Sequence, residues 1–123
     1  MTLMEDLAKD HHIQASFEWA EASRKVADAL AEGEDVRAIQ LNRLVVAQCT
    51  YRWWREVVSR IDEEGLSGIE AILRTRGEAE RSLLRPRGTN RGELFSQAMG
   101  QASRQAAQQF LETAQKLVGI VAV

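Results

Sequence analysis

The amino-acid sequence predicts an all-α protein of long amphipathic helices, packed as a helical hairpin or bundle and assembled into a coiled-coil-like oligomer. Three observations carry that prediction. The 123 residues include a single proline, Pro86, where a multi-stranded sheet protein would need many turn residues. Apolar residues recur at spacings of three and four over long stretches. Helix-opening motifs and stopping glycines divide those stretches into four segments of one domain, at about residues 3–31, 36–64, 68–85 and 91–121.

The first helix opens at Thr2. Thr2 and Glu5 make a T-x-x-E capping box, in which the hydroxyl accepts from a free N–H and the carboxylate reaches back. Gly33 is its natural stop. Two apolar stripes run along it, Trp19, Ser23, Val26, Leu30 and Ile13, Phe17, Ala20, Arg24, Ala27. Together they make a face wider than one partner helix can cover.

The second helix follows Asp35 as candidate N-cap and stops at Gly65, a reach of about 45 Å at the helical rise. Ile39, Val46, Cys49, Trp53, Val57 and Ile61 share one side, with Arg52, Arg55, Glu56, Asp62 and Glu63 opposite. Around Leu41–Val46 the apolar arc nearly closes, which predicts burial on more than one side and, with it, dimers or tetramers.

The third helix opens on a second capping box, Ser67 to Glu70, and keeps helical spacing through Ile69, Ile72, Leu73, Ala79, Leu83 and Leu84. Gly77 interrupts it, and residues 85–90 read as the clearest loop. The fourth helix carries a near-heptad seam rich in alanine: Phe95, Met99, Ala102, Ala106, Phe110, Ala114, Leu117. Small seam residues allow close approach but bury little area each.

Composition excludes more than it identifies. At 45% apolar and 28% charged the chain is too apolar for disorder. The net charge is −2, but residues 1–35 hold nine acidic and three basic residues, whereas residues 36–104 hold twelve arginines and eight carboxylates. Such poles favour antiparallel or staggered packing. A lone cysteine, Cys49, rules out an intrachain disulfide and a cysteine metal cluster, and fits the cytoplasm. The acidic start lacks the features of a signal peptide, and no run approaches the roughly 18 apolar residues of a membrane span.

No catalytic, cofactor or metal site is expected. His11 and His12 are adjacent, so on a helix they diverge by about 100° and cannot chelate one ion together. The di-iron motif E-x-x-H is absent. Cys49 falls mid-helix on the apolar face, where a thiol is normally inert. Gly88 to Gly92 is glycine-rich but lacks the phosphate-loop string. The candidate functional residues are therefore of two kinds. Phe17, Trp19, Val46, Trp53, Trp54, Val57, Phe95 and Phe110 are the anchors for a hydrophobic surface, a core or an oligomer interface. Arg74, Arg76, Arg85, Arg87 and Arg91 are the contacts an anionic partner would use. Glu70, Glu78, Glu80 and Glu93 interleave with those arginines, which favours a salt-bridged, solvated face over nucleic-acid contact.

The run from Ala31 through Asn42, AEGEDVRAIQLN, resembles the place in phasins where a short polar turn opens a long helix with an A-(I/L)-x-L-Q-like start. Leu44-Val45-Val46-Ala47-Gln48 and the aromatic, charged stretch after it are similar in style, and the resemblance covers about residues 5–64. Phasins are small helical proteins that coat bacterial polyhydroxyalkanoate granules. The resemblance implies a non-enzymatic, granule-associated protein that binds a polyester surface with amphipathic helices. Three tryptophans and three lysines depart from the lysine-rich, tryptophan-poor composition of that family. The alternatives are an oligomeric adaptor or regulator with a protein or nucleic-acid partner, and a small helical enzyme that holds an anionic substrate through arginines such as Arg43.

Overall fold

The structure, a computed structural model, describes residues 2–84 and 94–121, with side chains for residues 2–84 and 100–120. Four helices make up the fold: α1 (Leu3–Ala31), α2 (Ala38–Asp62), α3 (Gly68–Leu84) and α4 (Leu94–Val121). No strand occurs among the described residues.

Local chemistry sets most of the helix ends. The Thr2 hydroxyl accepts from the Glu5 N–H at 3.3 Å, and the Ser67 hydroxyl accepts from the Glu70 N–H at 3.2 Å. Gly33 and Gly65 take φ near +73° and +72°, the left-handed conformation that ends a helix without a Cβ penalty. After Gly33 the Glu34 N–H returns to the Ala29 carbonyl at 2.9 Å, a six-to-one bond, and after Gly65 the Leu66 N–H returns to the Arg60 carbonyl, six residues back. One expectation is corrected. Asp35 does not cap α2, which starts at Ala38; instead the Gln40 side chain accepts from the Arg37 N–H at 2.9 Å. A long amide three residues inside the helix does the work assigned to a short acid before it.

The chain runs up and down, each helix antiparallel to the one before. Lys9 near the start of α1 pairs with Asp62 at the end of α2 at 3.2 Å. Arg60 of α2 donates to the Thr75 hydroxyl at 3.1 Å and also bonds Glu78, fastening α3. Arg104 of α4 donates to the Leu83 carbonyl at 2.9 Å. Helix α2 is central and packs against the other three, while α1 and α4 scarcely approach each other.

The core lies at one end of the bundle. Met4, Ala8 and Ala15 from α1 meet Trp54, Val57 and Ile61 from α2, Ala71, Ile72 and Ala79 from α3, and Phe110, Ala114 and Leu117 from α4. Phe110 sits between two tryptophans, with ring centroids 5.8 Å from Trp53 and edge-on to Trp54 at 4.9 Å. Gly68 lets α3 touch α1: a Cβ there would stand 2.7 Å from the Glu5 nitrogen and 3.0 Å from the Met4 carbonyl carbon. We call this end the base. Beyond it, α1 from residue 16 and α2 before residue 54 continue as an arm to the turn at Gly33, with α4 packed along the part of α2 nearest the base.

Candidate docking surface

Packing is sparse along the arm. Between residues 16 and 31 of α1 only Ala29 is buried, and between residues 38 and 53 of α2 none is. The segment Leu41–Val46, whose apolar arc predicts burial on more than one side, is at best half-buried. The reason is topological: at this height α2 has α1 on one side and α4 on another, and no third helix among the described residues covers the remainder. Leu30, Ile39 and Leu41, close to the turn, are 65%, 54% and 39% exposed.

The two stripes of α1 have different fates. The stripe with Trp19 and Val26 leans on α2, and the Trp19 ring tilts onto Tyr51 at 5.0 Å. The stripe of Ile13, Phe17, Ala20, Arg24 and Ala27 faces solvent along its whole length. Phe17 is 66% exposed.

Because α1 and α4 diverge, a groove of about 590 Å³ opens between them over the face of α2. Val46, Ala47 and Thr50 form its floor, Phe17 and Ala22 line one wall, and Gln105 and Gln109 line the other. Arg43, Lys25 and Glu18 also line it. The Thr50 hydroxyl at the floor is buried and meets no hydrogen-bond partner among the described residues. A smaller cleft continues the groove toward the base, past His11, Trp54 and Phe110.

The remaining anchors fall elsewhere. Trp54, Val57 and Phe110 are buried in the chain's own core, so this conformation does not offer them to an outside surface. Trp53 is half-buried against Phe110. Val46 is half-buried in the groove floor. The Phe95 side chain lies outside the described residues, as do Arg85, Arg87 and Arg91. Arg74 is exposed and paired with Glu70 at 3.1 Å, and Arg76 is half-buried and faces Glu80 at 3.5 Å. Two described arginines of that segment are thus each matched by a carboxylate one turn away.

The ionisable groups behave as packed side chains. His11 stacks on Trp54 at 4.7 Å and His12 on Tyr51 at 5.1 Å. Burial lowers both imidazole pKa values; Arg55 adds to the effect at His12, and Asp10 opposes it at His11. Burial pushes the Cys49 thiol up, against smaller opposing effects of Arg52 and a hydrogen bond with Ser103. A thiol held protonated is a poor nucleophile. Among the described residues, no three His, Cys, Asp or Glu side chains gather where they could hold a metal ion. No helix there is long and apolar enough to cross a membrane.

Sequence reasoning missed Leu30, Ile39 and Leu41 as an exposed group, along with the contacts of Arg60 and Gly68. The apolar stripe of Ile13 and Phe17 was visible as spacing, and its excess width was the signal that part of it would go uncovered. Comparison with protein-family models, with curated proteins and with solved structures returns no match.

Proposed function

We propose that this chain is a non-enzymatic binding protein, phasin-like in character, whose α1–α2 arm adsorbs on a hydrophobic polyester surface. The observation that carries the reading is the exposed apolar tip: Leu30, Ile39 and Leu41 are exposed near the turn, on helices that bury only Ala29 between residues 16 and 53. Ile39 and Leu41, two residues apart on α2, point to opposite sides of that helix, so the tip offers apolar area on more than one side. Amphipathic helices bind apolar interfaces through the apolar area that they bury there. The resemblance to phasins, over about residues 5–64, includes this arm and suggests the kind of surface. In this reading the base folds the chain and the arm does the binding, in a protein of the cytoplasm associated with granules.

The test is partition of the purified protein onto polyhydroxybutyrate particles, with hydrophilic beads and a salt series as controls. Salt-resistant partition that fails in the Leu30→Ser/Ile39→Ser/Leu41→Ser variant supports the reading. Equal partition onto both kinds of bead, or none, sinks it.

A second reading is favoured by one observation, the groove between α1 and α4. Its apolar floor and amide-bearing walls suit an amphipathic helix from a protein partner, which makes the chain an adaptor. In that case substitution of Val46 and Ala47 by glutamate abolishes capture of the partner, and changes at the tip do not.

A further inference from the structure

The outer stripe of α1 extends one position beyond Ala27, to Ala31, and its spacing is that of a coiled-coil seam. Ile13, Phe17, Ala20, Arg24, Ala27 and Ala31 are separated by four, three, four, three and four residues, a period of 3.5. All six are exposed. Ala15 and Ala29, on the opposite side of the helix, are buried toward the bundle, so the seam points away from the chain's own core, with Phe17 at the edge of the groove. Helix α1 therefore has two faces built for packing, and the described chain fills one.

We infer that this seam is covered by the same seam of a second copy, running antiparallel. The size pattern selects both the partner and the direction. Large side chains occupy the first half of the seam and alanines the end of it. Centred near Ala22, an antiparallel pair sets Ile13 opposite the partner's Ala31, Phe17 opposite the partner's Ala27, and Arg24 opposite the partner's Ala20. Each bulky residue meets a small one, and every pairing joins the two kinds of heptad position. A parallel pair in register sets Phe17 on Phe17 and leaves the alanines facing each other across a gap. It also brings the two Arg24 guanidinium groups together.

Arg24 offsets the acidic charge that two copies of α1 bring together. In its own chain Arg24 is held by Glu21 at 2.6 Å and Asp28 at 3.0 Å, so it reaches the interface already matched by carboxylates. In the antiparallel register it lies beside the partner's Glu21 as well, which offsets the approach of the two Glu21 carboxylates near the centre of the seam. A single charged residue at a seam position fixes register at a cost in affinity. The same ion pairs make the seam a poor match for a polyester surface, which offers no charge and no notches. Six layers span about 27 Å at the helical rise. Interfaces of this size fall below the roughly 1,200 Å² of a standard complex, so monomer and dimer exchange with concentration. This inference is independent of the polyester reading, which uses the tip residues.

Sedimentation velocity over a hundredfold range of concentration tests it. The mass is expected to rise toward twice that of the chain, whereas Phe17→Glu stays monomeric with unchanged helix content. Leu30→Ser/Ile39→Ser/Leu41→Ser is expected to dimerise like the parent. Direction is read by cross-linking in a Cys49→Ser background under an added oxidant. Phe17→Cys/Ala27→Cys is expected to form a covalent dimer and Ala27→Cys alone is not. A chain that stays monomeric throughout, or an Ala27→Cys variant that cross-links to itself, overturns the inference.

Discussion

The base and the arm are made from the same two helices, yet they are held together by different means. In the base, α1 and α2 are joined by α3 and α4, and side chains such as Val57, Ile72 and Phe110 lose nearly all contact with water. In the arm the same helices have similar apolar content but fewer neighbours, and their side chains remain half-exposed. The difference teaches that the apolar width of a helix is set along its whole length, while its coverage is set by how many helices reach each height. Where the width exceeds the coverage, surface is left for something else to bind.

The largest expected effect breaks the base. Phe110→Ala removes the ring between Trp53 and Trp54 and should cost about 3–5 kcal/mol, the range for a large aromatic deleted from a core. Phe17→Ala, the same deletion in the arm, should stay within about 0.5 kcal/mol, as exposed substitutions do. Urea denaturation of the two variants measures the contrast, and equal losses would erase the distinction between the regions.

Gly68→Ala comes next. The added methyl group meets backbone atoms of Met4 and Glu5, which cannot swing aside as a flexible side chain would. We expect about 1–3 kcal/mol of destabilisation, typical of overpacking, read as a lower thermal midpoint. A neutral result would mean that α1 and α3 can separate at no cost.

These two effects divide what the sequence reveals from what it hides. Thr2, Ser67, Gly33 and Gly65 act on neighbours within a turn, so their roles are legible from spacing alone. Gly68 and Arg60 act on residues distant in sequence, and nothing in their local context announces it. The start of α2 misled for a related reason, since Gln40 outcompeted the acids before it. For the docking surface, periodicity reveals which residues are apolar but not which of them the fold will cover. Trp54 and Ile13 both belong to apolar stripes, and only the positions of α3 and α4 decide that one is core and the other surface.

A subtler effect comes from the histidines at the junction of base and arm. His11 and His12 are stacked on Trp54 and Tyr51, and burial lowers both pKa values below the unfolded value of about 6.5. The folded state therefore prefers both rings neutral. Their contribution is complete above the unfolded pKa and is lost as pH falls through the lowered folded values, because the unfolded chain takes up protons first. The urea midpoint should drop between pH 7 and pH 5, and His11→Phe/His12→Phe should remove part of that drop. A midpoint that rises on acidification would contradict the stacked, desolvated placement.

The smallest effect on stability belongs to the tip. Leu30→Ser, Ile39→Ser and Leu41→Ser should each change stability by no more than about 0.5 kcal/mol, because little is buried there to lose. Thermal melts check this, and a loss of several kcal/mol would show that the tip is structural.

The most direct test of the division between a folding base and a binding arm is hydrogen exchange with and without polyhydroxybutyrate particles. The account predicts that base amides near Val57, Ile72 and Phe110 exchange slowest in both samples. Amides around residues 28–45 should exchange faster in the free protein and gain protection only when particles are present. Protection gained at the base, or none gained at the arm, would contradict it.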